Sequence, residues 1–186
     1  AGCEEEIAQL TSQAMQGKLD FESSLRKRVS LLEGLPVSVF EKVFNSIHLT
    51  PNAQEFISIL QKNGILVGLV SGGFTPIVER LAKSLGIAYF SANQLEVKDG
   101  LLIGKLVGAI ISPELKQATL EQWRKELKLP KERTVAIGDG ANDLLMLKSA
   151  GLGIAFCAKE VLKQEIPYHV NNRDFLEVLL LIDFLE

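Results

Sequence analysis

The run Thr134-Val135-Ala136-Ile137 leads directly into Gly138-Asp139-Gly140-Ala141-Asn142-Asp143, and a helical pattern from Leu144 to Ser149 follows. A buried strand, an acidic turn and a helix in that order build open α/β sheets. Such sheets place their ligands in the crevice outside the carboxyl ends of the strands. Two carboxylates with no basic residue between them repel each other unless a cation sits between or beside them. Mg²⁺ suits that place, because it takes carboxylate oxygens and keeps positions open for water and phosphate. The turn therefore points to phosphate chemistry in an α/β fold.

Composition narrows the class further. At 186 residues with 47% apolar side chains, the chain has material for one large domain, or a domain with a small cap, around a real core. A net charge of −3 and a pI near 5.6 argue against a nucleic-acid surface or an anionic-membrane surface. The longest apolar run, Val178-Leu179-Leu180-Leu181-Ile182, is far short of the roughly 18 residues that span a bilayer. No basic stretch followed by an apolar one marks a secretory signal. Cys3 and Cys157 show no metal or redox spacing and are expected to be two buried thiols in a reducing cytoplasm. His48 and His169 are isolated and read as structural or surface residues.

Residues 3–47 read as helical, with breaks at Gly17-Lys18-Leu19-Asp20 and Gly34-Leu35-Pro36 and with Asp20 capping the second helix. They form a small helical subdomain. From Thr50-Pro51 the pattern changes. Thr50 at N-cap and Pro51 at N1 are expected to open a helix with an apolar face of Ala53, Phe56, Ile57 and Leu60, stopped at Asn63-Gly64. The run Ile65 to Val70 suits a strand buried on both faces, ended by Ser71-Gly72-Gly73 before a helix opened by Thr75-Pro76. Tyr89 to Ala92 reads as a short strand, and Leu95 to Ile103 as a hairpin turning at Asp99-Gly100. Ser112-Pro113 opens a helix to about Leu127. After the acidic turn come a helix, a weak strand at Gly153-Ile154-Ala155-Phe156 and two further helical segments. The β-α-β-α alternation predicts a parallel, doubly wound sheet.

Several residues carry candidate chemistry. Ser71 with Gly72 and Gly73 reads either as a phosphate cradle of hydroxyl and backbone amides or as a tight turn of small residues. Lys116 lies on a helix, where lysines are usually solvated, but between the serine segment and the Asp139 turn. Arg26, Lys27 and Arg28 form either a solvated face or a source of one arginine that clamps a carboxylate bidentately. Gly138 and Gly140 have G-x-G spacing, but Asp143 stands where a dinucleotide fingerprint needs glycine, and its charge opposes a pyrophosphate. Gly100 to Lys105 is no P-loop, because its first gap is one residue short and Leu106 replaces the hydroxyl residue.

Ser71-Gly72-Gly73-Phe74, Lys116 and Gly138-Asp139-Gly140-Ala141-Asn142-Asp143 together resemble motifs II, III and IV of the haloacid dehalogenase superfamily. The segment from Met15 to Val29 resembles the cap of the phosphoserine phosphatase family. Val97-Lys98-Asp99-Gly100 and Ile154-Ala155-Phe156-Cys157-Ala158-Lys159 resemble that family too. The likeness runs over essentially the whole chain. P-type ion pumps share the acidic motif but need membrane helices.

The resemblance implies a Rossmann-like, doubly wound parallel sheet, with a helical cap at residues 1–48 and an α/β core at 49–186. It implies Mg²⁺-dependent hydrolysis of O-phospho-L-serine to serine and phosphate, the last step of serine synthesis, by a cytoplasmic monomer or homodimer whose partner is a small molecule. Ser71 would hold the phosphoryl group, with backbone contacts from Gly72 and Gly73, and Lys116 would neutralise its charge. Asp139 would bind Mg²⁺, Asp143 would support that site, and Asn142 would orient the phosphate side. Arg28 would clamp the substrate carboxylate, with Met15 and Phe21 closing over it. No Asp-x-Asp occurs in the 186 residues, although the family's nucleophile and general acid/base lie in such a motif on a central strand before the cap. The expectation is an N-terminally incomplete phosphatase, inactive or nearly so as written. The alternatives are a catalytically inactive phosphate- or phosphoserine-binding module and a phosphatase or phosphotransferase for another small phosphomonoester.

Overall fold

A computed structural model describes Gly2 and residues 4–15 and 20–182, with the side chains of residues 4 and 11–15 outside the description. The chain groups into two compact units. The first comprises Ala1–Ile47, Ser71–Arg80 and Ala92–Ser112, and the second His48–Val70, Leu81–Ser91 and Pro113–Glu186.

In the first unit, helices α1 (Glu4–Met15), α2 (Phe21–Ser30) and α3 (Val39–Ser46) follow the expected order. Asp20 caps α2 as expected, its carboxylate accepting the Ser23 N–H at 2.9 Å. Leu25 and Val29, four residues apart on α2, are buried with Leu95 of β2 (Tyr89–Lys98) and Leu102 of β3 (Leu101–Val107), and Phe74 of β1 (Gly68–Phe74) packs against them. β2 and β3 form the antiparallel hairpin, and Asp99 (φ 51°) and Gly100 (φ 77°) both adopt the left-handed backbone that its turn requires. Strand order is β1-β2-β3.

The second unit holds α4 (Ala53–Lys62), α6 (Pro113–Glu126), β4 (Val135–Gly138), α7 (Leu144–Ser149), β5 (Leu152–Phe156), α8 (Glu160–Lys163) and β6 (Tyr168–Val170). Helix α5 (Thr75–Ser84) contributes to both units. β4, β5 and β6 are parallel, in that order. β5 shows why its sequence is continuously apolar. Ile154 and Phe156 enter one core with Phe56, Leu60, Ala82 and Val178, while Ala155 enters another with Ala136, Leu147 and Leu162. Successive side chains of a strand point to opposite faces, so both faces of this one are covered. Phe175 stacks on Phe56 and Phe156, with centroids 5.3 and 4.4 Å apart.

The structure departs from expectation in several places. The expected α/β fold with parallel strands is present, its described strands lying in two three-stranded sheets with β1 and β4 each at an edge. α4 begins at Ala53. Thr50-Pro51-Asn52 makes a turn closed by Ala53 N–H on Thr50 O (3.1 Å), and Asn52, at φ 61°, is the N-cap. The strand expected from Ile65 starts at Gly68, because Gly64 (φ 73°) and Ile65, whose N–H donates to Leu60 O (2.9 Å), still terminate α4. Ser71-Gly72-Gly73 therefore lies inside β1, and α5 follows at Thr75 without a turn. Tyr89 to Lys98 is one strand, irregular between Leu95 and Val97. Residues 168–170 form a strand that the sequence reading does not include, and 175–180 are 3₁₀. Cys157 is exposed, against the expectation of a buried thiol, and Cys3 lies outside the described residues.

Asp174 ties the start of α4 to the 3₁₀ segment. Its Oδ1 accepts from Asn52 Nδ2 and from Leu176 N–H, both at 2.9 Å. The Asn52 bond, then the Leu176 bond, hold its carboxyl below the ordinary value. A group with a depressed folded-state pKa adds stability above its unfolded pKa and loses it as pH falls through the folded one. Thermal melts taken from neutral pH down through the carboxylate range are expected to fall less steeply in Asp174→Asn than in the parent chain.

Candidate active site

The acidic turn is built around Asp143. It is 5% exposed. Its Oδ1 accepts from Lys116 Nζ at 2.6 Å, and its Oδ2 accepts from the N–H groups of Asp139 and Gly140, both at 3.2 Å. Asp143 N–H returns a bond to Gly140 O at 2.9 Å. The turn thus closes on one carboxylate whose two oxygens are both engaged. The lysine facing it is 6% exposed on α6. A helical position suggests a solvated residue, and the structure corrects that: the cation compensating Asp143 is this ammonium. Burial strengthens the pair and also raises its desolvation cost, so losing one partner strands a buried charge.

Gly138 has to be glycine for a steric reason. A Cβ there would lie 2.5 Å from Asp143 Cβ and 2.7 Å from its Cγ. Gly138→Ala is expected to push Asp143 off Lys116 at a cost of about 1–3 kcal/mol, as overpacking does. Denaturant titration checks the loss. A Cβ at Gly140 would likewise collide with Asn142 Oδ1.

Asp139 differs from Asp143. It is exposed at the end of β4, and its carboxylate has no partner among the described residues. Its carbonyl oxygen accepts from Lys159 N–H at 3.4 Å. A hard divalent cation needs one or two carboxylates, with water and phosphate completing its shell. Asp139 fits that role, whereas both oxygens of Asp143 already accept hydrogen bonds, from Lys116 and from the turn's own amides. Among the described residues, no three His, Cys, Asp or Glu cluster as a closed metal cage. Asn142 is half-buried beside Asp143.

Ser71, Gly72, Gly73, Phe21 and Arg28 belong to the first unit. Ser71 Oγ accepts the Gly73 N–H at 3.0 Å. The structure separates the clustered basic residues of α2. Arg26 spends its guanidinium on Glu22 (2.9 and 2.7 Å) at the exposed surface. Arg28 is half-buried, only its Nε is engaged, on Ser24 O at 3.3 Å, and its terminal nitrogens have no partner among the described residues. Phe21 is 37% exposed on the first turn of α2. Met15 ends α1, and its side chain lies outside the described residues. His48 is exposed, while His169 Nε2 faces the carbonyl oxygens of Lys163 and Ile166.

Sequence reading misses Asn93. It is 1% exposed, and its carboxamide bonds Gly72 O and Ile111 N–H. No local signal marks it, because the sequence reading leaves Asn93 and Gln94 between the strand at Tyr89 to Ala92 and the hairpin from Leu95.

The family model of haloacid dehalogenase-like hydrolases matches residues 4–148. The chain belongs to that family of hydrolases. The phosphoserine phosphatase of Streptococcus thermophilus is 48% identical over 98% of this chain and 85% of its own length. That of Methanocaldococcus jannaschii is 47% identical over 96% and 85%. A solved phospho-aspartyl intermediate analogue of phosphoserine phosphatase superposes with a TM-score of 0.90 at 46% identity, covering 98% of this chain and 87% of that one. A substrate-bound phosphoserine phosphatase complex gives the same TM-score, identity and coverage. Within the hydrolases, the chain falls in the phosphoserine phosphatase family of phosphoric monoester hydrolases.

Proposed function

We propose that the protein is a cytoplasmic, Mg²⁺-dependent phosphatase that hydrolyses O-phospho-L-serine to serine and phosphate in serine biosynthesis. The observation that carries this reading is the buried Lys116–Asp143 pair at the acidic turn. An ammonium has three N–H donors, and Asp143 uses one of them. The others meet phosphoryl oxygens, and Asp143 holds the ammonium in place. Ser71 donates its hydroxyl hydrogen to a phosphoryl oxygen and the Gly72 amide adds a backbone contact, while the Gly73 N–H stays on Ser71 Oγ. Asn142 orients the phosphate side. Asp139 would hold Mg²⁺, which when bound would supply further neutralisation of negative charge. Positioned charges of this kind carry most of the catalysis in phosphoryl transfer.

The cap is proposed to be residues 1–48, over a core of 49–186. Arg28 presents its terminal nitrogens to the substrate carboxylate, a planar fork that suits bidentate pairing. Phe21 and Met15 close over the substrate. Because these 186 residues hold no Asp-x-Asp pair, the nucleophile of an aspartyl-phosphate route is assigned to a residue outside them. The same observation favours a second reading, a phosphate-binding module without turnover.

The test places the 186 residues behind a strand bearing Asp-x-Asp and measures phosphate release. Release from phosphoserine is expected, with little from the 186 residues alone. Arg28→Ala is expected to raise KM for phosphoserine about tenfold or more and to leave KM for phosphoethanolamine, which lacks the carboxylate, nearly unchanged. Equal effects on both substrates would reject the carboxylate clamp. No release from either substrate would favour the binding module.

A further inference from the structure

We infer that Asn93 is a positioning residue that sets the direction in which the Ser71 hydroxyl donates; this rests on the reading of Ser71 as a phosphoryl ligand. The amide of Asn93 has only one workable orientation. Gly72 O can only accept and Ile111 N–H can only donate, so Nδ2 faces the first at 2.8 Å and Oδ1 the second at 2.9 Å. Thr75 Oγ fixes the residue from behind by donating to its backbone carbonyl at 3.1 Å. At 1% exposure, no solvent competes for these groups.

The consequence runs through one peptide plane. Gly72 C=O and Gly73 N–H belong to the same trans peptide unit and point in opposite directions. Holding Gly72 O therefore aims Gly73 N–H, which donates to Ser71 Oγ at 3.0 Å. With one lone pair taken by that N–H, the hydroxyl hydrogen is turned away from Gly73 and is available to donate, the role a phosphoryl oxygen requires. Two glycines in succession put no side-chain restraint on this plane within β1, so its tilt is left to its hydrogen bonds. Asn93 thus acts on the ligand only through Ser71.

The experiment is a double-mutant cycle read by inorganic phosphate binding to the 186-residue chain, with thermal melts recorded for every variant. Ser71→Ala and Asn93→Asp are each expected to weaken binding about tenfold at neutral pH, the loss that follows from one misdirected hydrogen bond. The double variant is expected to bind no more weakly than Ser71→Ala alone, because both changes remove the same donation. Protonating the carboxyl that Asn93→Asp introduces restores a donor toward Gly72 O, so the wild-type to Asn93→Asp affinity ratio is expected to shrink as pH falls. Asn93→Ser, with room for a water in place of the carboxamide, is the second variant should Asn93→Asp fail to fold. A merely structural Asn93 predicts losses that add to those of Ser71→Ala, or a lowered melting temperature with wild-type affinity, and either result overturns the inference. Wild-type binding by Ser71→Ala, or none by the parent chain, would instead refute the phosphoryl-ligand reading and remove the basis for a role of Asn93.

Discussion

Lys116→Met is expected to destabilise the protein by about 3–5 kcal/mol, the cost of breaking a buried ion pair from one side. For a chain of this size that corresponds to a fall in melting temperature on the order of 10 °C. Methionine keeps most of the volume, so the loss reports charge. Asp143, 5% exposed, would hold its two backbone amides while its Oδ1 faced nothing. Replacing both partners, Lys116→Met with Asp143→Leu, is expected to recover part of the stability and none of the phosphate affinity. A melting temperature within a degree or two of the parent would mean that the pair contributes nothing to the fold.

Asp139→Asn is expected to do the opposite. Its carboxylate is exposed and has no partner among the described residues, so stability should change by no more than about 0.5 kcal/mol. The magnesium concentration giving half-maximal activity should rise about tenfold to a hundredfold or beyond, since neutralising a direct ligand costs at least as much as disturbing the groups around it. The magnesium dependence of phosphate release, measured beside the melt, checks both effects. An unchanged magnesium requirement would remove Asp139 from the metal. Two aspartates four residues apart thus share one turn, one buried and paired with Lys116, the other exposed with no partner among the described residues.

Much of this is legible in the sequence. The apolar face of α4, the Asp99-Gly100 turn and the helix from Ser112-Pro113 follow from local rules that the structure obeys. The acidic turn is legible because Gly-Asp-Gly-Ala-Asn-Asp after an apolar run has few structural explanations. Other features depend on tertiary contacts. Lys116 is legible as a candidate from its place between the serine segment and the acidic turn, but its burial is not, because that comes with Asp143, 27 residues away. Asn52 as the N-cap of α4 depends on a bond to Asp174, 122 residues on. Gly68 opens a strand hard against Trp123, where a Cβ would lie 2.6 Å from the ring. Cys157 is exposed at φ 46°, with its N–H on Val170 O at 2.7 Å, and Val170 belongs to a strand that the sequence reading does not include. Each of these is a long-range pairing, which a local pattern does not encode.

The most direct test is phosphate release from O-phospho-L-serine by the 186 residues carried behind an Asp-x-Asp strand, with and without magnesium, in the parent and in Lys116→Met assayed well below its melting temperature. Release is predicted to require magnesium and to fall about a hundredfold or more in Lys116→Met. Magnesium-independent release, or parental release by a folded Lys116→Met protein, would contradict the assignment of the acidic turn as the phosphoryl-transfer site.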